Sequence, residues 1–208
     1  MRIGILGAGA MAEALGAGWA RAGHDIVVAA RDADRVTAAA ARIGARAGTF
    51  AEAAAHGDAV LAALLHTATL DVVAPLAGAL AGRAVIDCSN PVAAGPGGLM
   101  LTTDGGPSAA RRIAAAVPGA HVVKAFNVCA AEVWANCPGG LAVPLCGDDA
   151  GALDVVRALV TDVGAIPLDA GGLDRAGYVE ATAAFAIGVW FAGGDPRTVL
   201  PRVEHAQG

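Results

Sequence analysis

The residues with the clearest chemical role are those of Gly7-x-Gly9-x-x-Ala12, which directly follow an apolar strand. In this motif the first glycine permits a tight turn, the second leaves room for a pyrophosphate, and the small third residue lets a helix pack on the strand. The N-terminus of that helix adds free N–H groups and the positive end of its dipole. The motif therefore predicts a dinucleotide site built by Gly7, Gly9, Ala10, Met11 and Ala12.

The end of the second strand predicts which dinucleotide is bound. A site for NAD places a carboxylate there to hold the ribose 2′-hydroxyl, whereas a site for NADP offers an arginine to the 2′-phosphate. Here Arg31 precedes Asp32, and Arg35 lies on the same face of the next helix. We therefore predict NADP(H), held near Ala30, Arg31 and Arg35. The alternative is that Asp32 binds the ribose of NAD(H), although Asp32 equally suits the N-cap of the next helix.

Three pairs of residues follow other apolar strands, namely Leu65-His66, Ser89-Asn90 and Phe126-Asn127. Ligands of an open parallel sheet bind outside the carboxyl ends of its strands, so these residues are candidates for a reaction site. Hydride transfer between two bound rings mainly needs them held roughly 3–3.5 Å apart and requires no strong acid or base. An imine or carbonyl acceptor would instead require a proton donor, with Lys124 or His66 as candidates.

The sequence leaves the catalytic residues unassigned, with His66, Lys124 and Asn127 as candidates. For His66 and Lys124 the sequence also allows a purely structural role. His66 could begin the following helix, and Lys124 could pair with a carboxylate or reach solvent. Asn127 follows an apolar strand without a turn signal, which favours a ligand contact.

The elements that position these residues alternate along the chain, which predicts an α/β fold. We expect a Rossmann-type, doubly wound, mainly parallel sheet with a small C-terminal α/β segment. Residues 1–146 would bind NADP(H), and residues 147–208 would complete the acceptor pocket. The predicted strands are Arg2–Leu6, Asp25–Ala30, Asp58–Leu65, Arg83–Cys88, Ala120–Ala125, Leu141–Cys146 and Ala165–Leu168. The predicted helices are one from Met11 to Ala22, Asp34–Ile43, Leu70–Leu80 interrupted by Pro75, Ser108–Val117, one from Asp148 or Asp149 to Val163, and one from about Leu173.

Composition limits the classes of partner. With 208 residues, 56% of them hydrophobic and 16% charged, the chain can fill a globular core. The net charge of −5 and the scattered basic residues argue against nucleic acid and anionic lipid and favour small molecules. The four cysteines lack metal-ligand spacing, so we expect no zinc site and reduced, cytoplasmic thiols.

The apolar segment Ala181–Gly193 is shorter than the roughly 20 residues that a membrane span requires. No signal peptide is expected, because the first apolar run is the strand of the glycine motif. We predict a cytoplasmic protein without a membrane helix. A terminal helix carrying Phe185, Ile187, Val189 and Trp190 favours a homodimer contact, because such a stripe is costly to expose.

Beyond these local patterns, the chain resembles the NADPH-dependent reductases of coenzyme F420, the deazaflavin:NADP oxidoreductases. The resemblance rests on Gly23–Val28 leading to Arg31, on Val143–Asp149, and on Leu168–Gly171 with Glu180 behind it. The segments 87–90 (Asp-Cys-Ser-Asn) and 123–127 (Val-Lys-Ala-Phe-Asn) are more similar to the cytosolic domains of six-transmembrane metalloreductases, which pass hydride from NADPH to a flavin.

The resemblance implies that the nicotinamide lies near Leu64-Leu65-His66, Asn90 and the turn from Lys124 to Asn127. It also implies a second ring, F420 or a flavin, stacked on the nicotinamide from the C-terminal side. F420 has an anionic tail, for which Arg111, Arg112 and Arg175 are the available cations.

Other functions stay open at the level of sequence. The motif Gly7–Leu15 also resembles the opening of pyrroline-5-carboxylate reductases, which favours an NADPH-dependent reductase of a small imine or carbonyl metabolite. A non-catalytic NADP(H) sensor is a third possibility. A ferric or cupric reductase role is the fourth.

Overall fold

The structure, a computed structural model, describes residues 1–95, 98–137 and 139–199. Within these ranges the strands are Arg2–Leu6 (β1), Asp25–Ala29 (β2), Arg46–Gly48 (β3), Ala59–Ala62 (β4), Ala84–Asp87 (β5), Val92–Gly95 (β6), Gly98–Leu101 (β7), His121–Lys124 (β8), Ala142–Gly147 (β9) and Ile166–Asp169 (β10). The α-helices are Ala10–Arg21 (α1), Ala33–Ile43 (α2), Phe50–His56 (α3), His66–Val73 (α4), Ala77–Leu80 (α5), Ala109–Ala116 (α6), Ala131–Ala135 (α7), Ala150–Asp162 (α8) and Ala176–Phe191 (α9). Short 3₁₀ helices cover Ala74–Leu76, Leu173–Arg175 and Pro196–Thr198.

Eight strands form one sheet in the order β10-β9-β8-β5-β4-β1-β2-β3. Strand β1 is central and pairs in parallel with β2 on one side and with β4 on the other. The strand order therefore reverses between β1 and β4, which is the position where open α/β sheets bind ligands. The predicted Rossmann-type, mainly parallel sheet is confirmed.

Strand β9 departs from the parallel arrangement. It pairs antiparallel with β8, while β10 runs parallel to β9. An antiparallel neighbour can start from the edge at which the preceding strand ends, so the connection needs no helix that crosses the whole sheet. The short α7 in that connection packs on α1. The division at residues 146 and 147 falls at the end of β9 and stays a prediction.

The sheet carries one hydrophobic core on each face. One face packs against α1, α2 and α8, with Trp19 as its largest fully buried side chain. The other face packs against α3, α5 and α6 and includes Leu173, Ala176 and Val179 from the C-terminal segment. Residues of β1 alternate between these cores, because successive side chains of a strand point to opposite faces.

Side-chain caps explain where several helices begin. Asp32 caps α2 and Asp149 caps α8, each accepting a backbone N–H of the first turn. Thr49 and Glu52 form a reciprocal capping box at α3. The sequence pattern did not predict β3, α3, α7 or the β6–β7 hairpin, which occupies much of the segment between Pro91 and Pro107.

Helix α9 packs against β7 and α6. It was predicted from about Leu173, and the chain forms a 3₁₀ turn there before the α-helix starts at Ala176. Among the described residues, no helix combines the length and the apolar character needed to cross a bilayer.

Candidate functional site

The glycine motif forms the turn that its sequence predicts. Gly7 has φ of +124°, and a Cβ at this residue would lie 2.1 Å from the carbonyl oxygen of Ala63, so a larger residue would disrupt the turn. A Cβ on Gly9 would meet no atom within 4 Å. Gly9 is the N-cap of α1, and its backbone thus faces open space beside the first helical N–H groups. This arrangement fits a dinucleotide pyrophosphate.

A cavity of about 590 Å³ extends from this turn across the carboxyl ends of β1, β2, β4 and β5. We call it the main cavity. The predicted cofactor residues that line it are Gly7, Gly9, Ala10, Met11, Ala30, Arg31, Arg35, Leu64, Leu65 and Asn90. Its volume is in the range of pockets that hold small molecules and cofactors.

Four predicted cofactor residues do not line the main cavity: Ala12, His66, Lys124 and Asn127. Ala12 is fully buried and packs in the core between α1 and the sheet, which is the packing role that its small size allows. The other three lie in the networks described below. The geometry gives no support to a cofactor contact of Ala12, His66 or Lys124, whereas the buried Oδ1 atom of Asn127 has no hydrogen-bond partner in the described ranges.

Two arginines, Arg31 and Arg35, lie at the end of β2 and the start of α2, together with the carboxylate of Asp32. Arg31 and Arg35 are exposed and line the main cavity, and neither side chain has a salt bridge or hydrogen bond within the described ranges. The Oδ1 atom of Asp32 accepts the backbone N–H of Arg35 at 3.0 Å. The carboxylate thus stabilises the start of α2, and the guanidinium groups are left to bind an anion.

The first turn of α1 also carries an acidic residue, Glu13. Its carboxylate accepts two hydrogen bonds from Arg42, at 2.7 and 2.6 Å. These bonds lower the pKa of Glu13 although partial burial opposes the shift. Arg42 therefore offsets a negative charge that would otherwise face a phosphate at this helix N-terminus.

Asn90 and Asn127 join the ends of β5 and β8. Asn90 Nδ2 donates to the carbonyl oxygen of Asn127 at 2.7 Å, and Asn127 Nδ2 donates to Asn90 Oδ1 at 2.9 Å. Asn127 Nδ2 also lies 3.3 Å from the carbonyl oxygen of Val179 in α9. These contacts fix the orientation of both amides and tie the C-terminal helix to the edge of the main cavity.

Lys124 is the only lysine in the sequence, and its side chain is fully buried. The Nζ atom lies 2.9 Å from Asp87 Oδ2 and 3.0 Å from Glu180 Oε1, and it donates to the carbonyl oxygen of Ser89. Asp87 and Glu180 are buried as well. Two carboxylates thus enclose the ammonium group, so Lys124 is not available to donate a proton in the main cavity. We call Asp87, Lys124 and Glu180 the buried ion network.

His66 is the first residue of α4, which is the structural role that the sequence offered as an alternative. It lines a separate cavity of about 50 Å³. That cavity also includes Ser89 and Arg112. His66 Nε2 lies 3.4 Å from Thr102 Oγ1 on the loop that follows β7.

Several residues of the site were missed by the sequence analysis. Phe50 lines the main cavity from the start of α3, and the capping pattern from Thr49 to Glu52 was the available signal. Asp87 and Lys124 are directly paired in the β5–β8 register. A carboxylate and an amine ending two apolar strands would have indicated a buried pair.

Cys88 also lines the main cavity, and burial raises the pKa of its thiol to about 12.

The buried ion network predicts a specific pH response. Burial alone lowers the pKa of Lys124, but Asp87 and Glu180 outweigh it and raise that pKa above its usual 10.5. Because the pKa of Lys124 is higher in the folded than in the unfolded state, the charged lysine stabilises the fold. This stabilisation is complete below pH 10.5 and is lost as the pH rises through the folded-state pKa. Because Lys124 is the only lysine, protein labelled with ¹⁵N-lysine gives one Nζ resonance, which should still report the charged form above pH 10.5. A titration midpoint at or below 10.5 would contradict the network.

Comparison with known proteins shows which groups this chain is similar to. Residues 2–91 match the family described as NADP oxidoreductase, coenzyme F420-dependent. The metalloreductase STEAP3 of Rattus norvegicus is 31% identical over 182 residues, which are 86% of this chain and 36% of the relative. The chain thus spans about a third of the length of that metalloreductase. The predicted resemblance to both groups is confirmed.

Solved structures agree in fold. A protein of Arthrobacter sp. FB24, proposed as an F420-dependent NADP reductase, superposes with a TM-score of 0.83 at 24% identity over 93% of this chain and 95% of that one. The hypothetical protein SMa0349 of Sinorhizobium meliloti gives 0.74 at 27% identity, covering 85% and 87% of the two chains. An imine reductase of Streptomyces aurantiacus gives 0.69 at 21% identity over 92% of this chain and 62% of that one. The family match over residues 2–91 agrees with the predicted class, an NADP-dependent oxidoreductase.

Proposed function

We propose, on the match of residues 2–91 to the coenzyme F420-dependent NADP oxidoreductase family, that the chain transfers hydride between NADP(H) and a deazaflavin or flavin acceptor. The observation that carries the proposal is the main cavity. It has two arginines at the β2 end, an open glycine turn at its centre, and Leu64 and Leu65 at the β4–β5 end, where Cys88 is the ionisable group among the described lining residues.

The β2 end supports NADP(H) rather than NAD(H). A 2′-phosphate needs cations, and Arg31 and Arg35 both line the cavity without a partner in the described ranges. NAD(H) would need Asp32 to accept the ribose hydroxyl; Asp32 also lines the cavity, but its Oδ1 atom is already engaged as the cap of α2, which leaves Oδ2 alone for that contact. The main cavity can therefore hold the adenosine half through Arg31 and Arg35 and the pyrophosphate through the N–H groups at Gly9 and Ala10.

The opposite end supports a flat, apolar acceptor. Leu64 and Leu65 line the main cavity at the end of β4, and Leu65 is 78% exposed. Large apolar side chains at the mouth of a ligand cavity offer a surface on which an aromatic ring can stack. A deazaflavin or flavin presents such a ring.

The described residues at that end include no group that titrates near neutral pH, which distinguishes the proposed reaction from its main alternative. Reduction of an imine or carbonyl requires proton delivery, but Lys124 is enclosed by two carboxylates and His66 lines a different cavity. Among the described residues that line the β4–β5 end, Cys88 is the ionisable group, and its pKa of about 12 keeps it a thiol at neutral pH. Transfer between two rings needs no such group.

When bound, NADPH would supply the hydride or NADP⁺ would accept it, and the protein would contribute position and exclusion of water. The backbone at Gly9 and Ala10 would hold the pyrophosphate, and Leu64 and Leu65 would shield the reacting face. Hydride transfer gains most from fixing the two rings at reacting distance, which requires rigid walls rather than acid catalysis.

For the anionic arm of the acceptor, Arg112 is better placed than Arg111 or Arg175. Arg112 lines the small cavity next to Ser89 and donates to the carbonyl oxygens of Pro107 and Thr103 but has no carboxylate partner in the described ranges, whereas Arg111 is 3.9 Å from Asp148. Arg175 donates to the carbonyl oxygen of Ala170 and lies over the ring of Tyr178. We propose that Arg112 pairs with a carboxylate or phosphate of F420.

We also propose a homodimer in the cytoplasm, built on α9. Phe185, Trp190 and Phe191 are each more than half exposed on this helix, while Ile187 and Val189 are half-buried. Exposed aromatic stripes of this kind mark association surfaces. The mass in solution, by sedimentation equilibrium, is the deciding measurement.

The test of the proposed function is a spectroscopic assay with purified protein. NADPH should bleach the visible absorption of F420, with FMN and FAD run in parallel. Turnover with F420 or a flavin would support ring-to-ring hydride transfer. Tight NADPH binding with turnover only of a cyclic imine or a carbonyl compound would favour the alternative reductase, and binding without any turnover would favour a sensor.

A further inference from the structure

Ser89 occupies an unusual position at the end of β5, because its backbone is held on both sides while its hydroxyl has no partner. We propose that the Ser89 hydroxyl binds the carboxamide of the nicotinamide, and that the buried ion network of Asp87, Lys124 and Glu180 positions it. This inference rests on the proposed function, since it assumes that NADP(H) occupies the main cavity.

The backbone contacts of Ser89 come from two members of the network. Asp87 Oδ1 accepts the N–H of Ser89 at 2.9 Å, and Lys124 Nζ donates to its carbonyl oxygen. Asp87 and Lys124 are themselves paired at 2.9 Å, so the three residues close a ring of hydrogen bonds. The turn between β5 and Pro91 is thereby fixed relative to β8.

The hydroxyl of Ser89 points to a ligand because it is buried and unsatisfied. The residue is 6% exposed, and Oγ has no hydrogen-bond partner within the described residues. Ser89 lines both the main cavity and the small cavity beside it. An unpartnered buried polar group is costly, and bound ligands commonly satisfy such groups. A hydroxyl can donate and accept, which matches a primary amide.

Glu180 connects this turn with the C-terminal helix. Its Oε1 atom lies 3.0 Å from Lys124 Nζ, and its two carboxylate oxygens accept the backbone N–H groups of Ala109 and Ala110 at the start of α6, at 3.1 and 3.4 Å. When α9 packs in place, its Glu180 therefore supplies the last acceptor around Lys124 Nζ. The C-terminal segment thus controls the nicotinamide end of the cavity without having to contact the cofactor.

The test compares two ligands that share the adenosine half. NADPH reaches Ser89, whereas adenosine 2′,5′-bisphosphate lacks the nicotinamide. Glu180→Gln replaces one acceptor oxygen with an NH₂ group, which must face either the Lys124 ammonium or an α6 N–H group. Calorimetric titration should show NADPH binding weakened about tenfold, as expected for the loss of one well-placed hydrogen bond, and bisphosphate binding changed less than about twofold.

Ser89→Ala is the second variant, and it keeps the inference testable if Glu180→Gln does not fold. It removes only an oxygen without a protein partner, so the melting temperature should stay the same while NADPH binding weakens about tenfold. If Glu180 acts through Ser89, the double variant should bind NADPH no more weakly than Ser89→Ala alone. Glu132→Gln, the same change on the exposed face of α7, is the matched control.

Three results would overturn the inference: unchanged NADPH binding in Ser89→Ala, equal losses for both ligands, or additive losses in the double variant. A purely structural network would lower stability without separating the two ligands. The binding test needs no acceptor, so failure of hydride transfer to F420 leaves it intact. If wild-type protein prefers NADH, the same comparison is made between NADH and ADP-ribose.

Discussion

Replacing Arg31 by glutamate is expected to weaken NADPH binding about a hundredfold and NADH binding less than about threefold. Arg31 lines the main cavity at the end of β2 and has no other partner in the described ranges, so its guanidinium can engage the 2′-phosphate directly. Charge-assisted hydrogen bonds to phosphate contribute more than neutral ones, and a carboxylate at this site would add repulsion. Fluorescence titration with both cofactors gives the two dissociation constants.

The matched control for this prediction is Arg46→Glu. Arg46 is an exposed arginine on β3, next to β2, and does not line the main cavity. The control should leave both cofactors bound as in the wild type. Equal losses of NADPH and NADH in Arg31→Glu would show that Arg31 does not recognise the 2′-phosphate, and the assignment of NADP(H) to this cavity would lose its main structural support.

Replacing Lys124 by methionine is expected to lower the free energy of unfolding by about 3–5 kcal/mol. Methionine nearly fills the same volume but leaves the carboxylates of Asp87 and Glu180 buried, close together and without a cation. Removing one partner from a buried charge network costs far more than the net stabilisation by the intact network, because the remaining charges stay desolvated. Urea denaturation at pH 7 measures the loss.

A triple variant separates charge from packing. Asp87→Asn, Lys124→Met and Glu180→Gln together remove all three charges, so the triple variant should be more stable than Lys124→Met alone. A loss below about 1 kcal/mol in Lys124→Met would contradict the network as described here.

The first half of the fold follows from the sequence because its signals are local. The glycines at 7 and 9 are dictated by the turn and the open helix start, and apolar runs bounded by caps mark β1, β2 and α2. The positions of Gly9, Arg31 and Leu65 around one cavity then follow from the edge at which parallel strands end.

Short elements were harder to predict. Strand β3 has three residues and no buried side chain, so it lacks the apolar run that identifies a strand. The β6–β7 hairpin alternates weakly and includes glycine at Gly95 and Gly98, which is typical of loops. Such elements depend on tertiary contacts, here of β7 with α9, rather than on intrinsic propensity.

The buried ion network shows what a single sequence does not reveal. Lys124 was a candidate for cofactor contact and catalysis because it ends an apolar strand, and its structural alternative was a pairing with a carboxylate. Glu180 lies 56 positions later, on a helix whose docking no local pattern predicts. The charge balance of a buried group depends on such long-range contacts, and the position of the lysine in the chain therefore could not decide its role.

The most direct test of the central claim follows the hydrogen itself. NADPH carrying deuterium at the transferred position of C4 is mixed with the enzyme and oxidised F420 in ordinary water, and the reduced deazaflavin is analysed by mass spectrometry after one turnover. Ring-to-ring transfer within the main cavity predicts that the deuterium is retained in the reduced deazaflavin. Reduced deazaflavin without the label, or reduction of neither F420 nor a flavin by bound NADPH, would contradict the account.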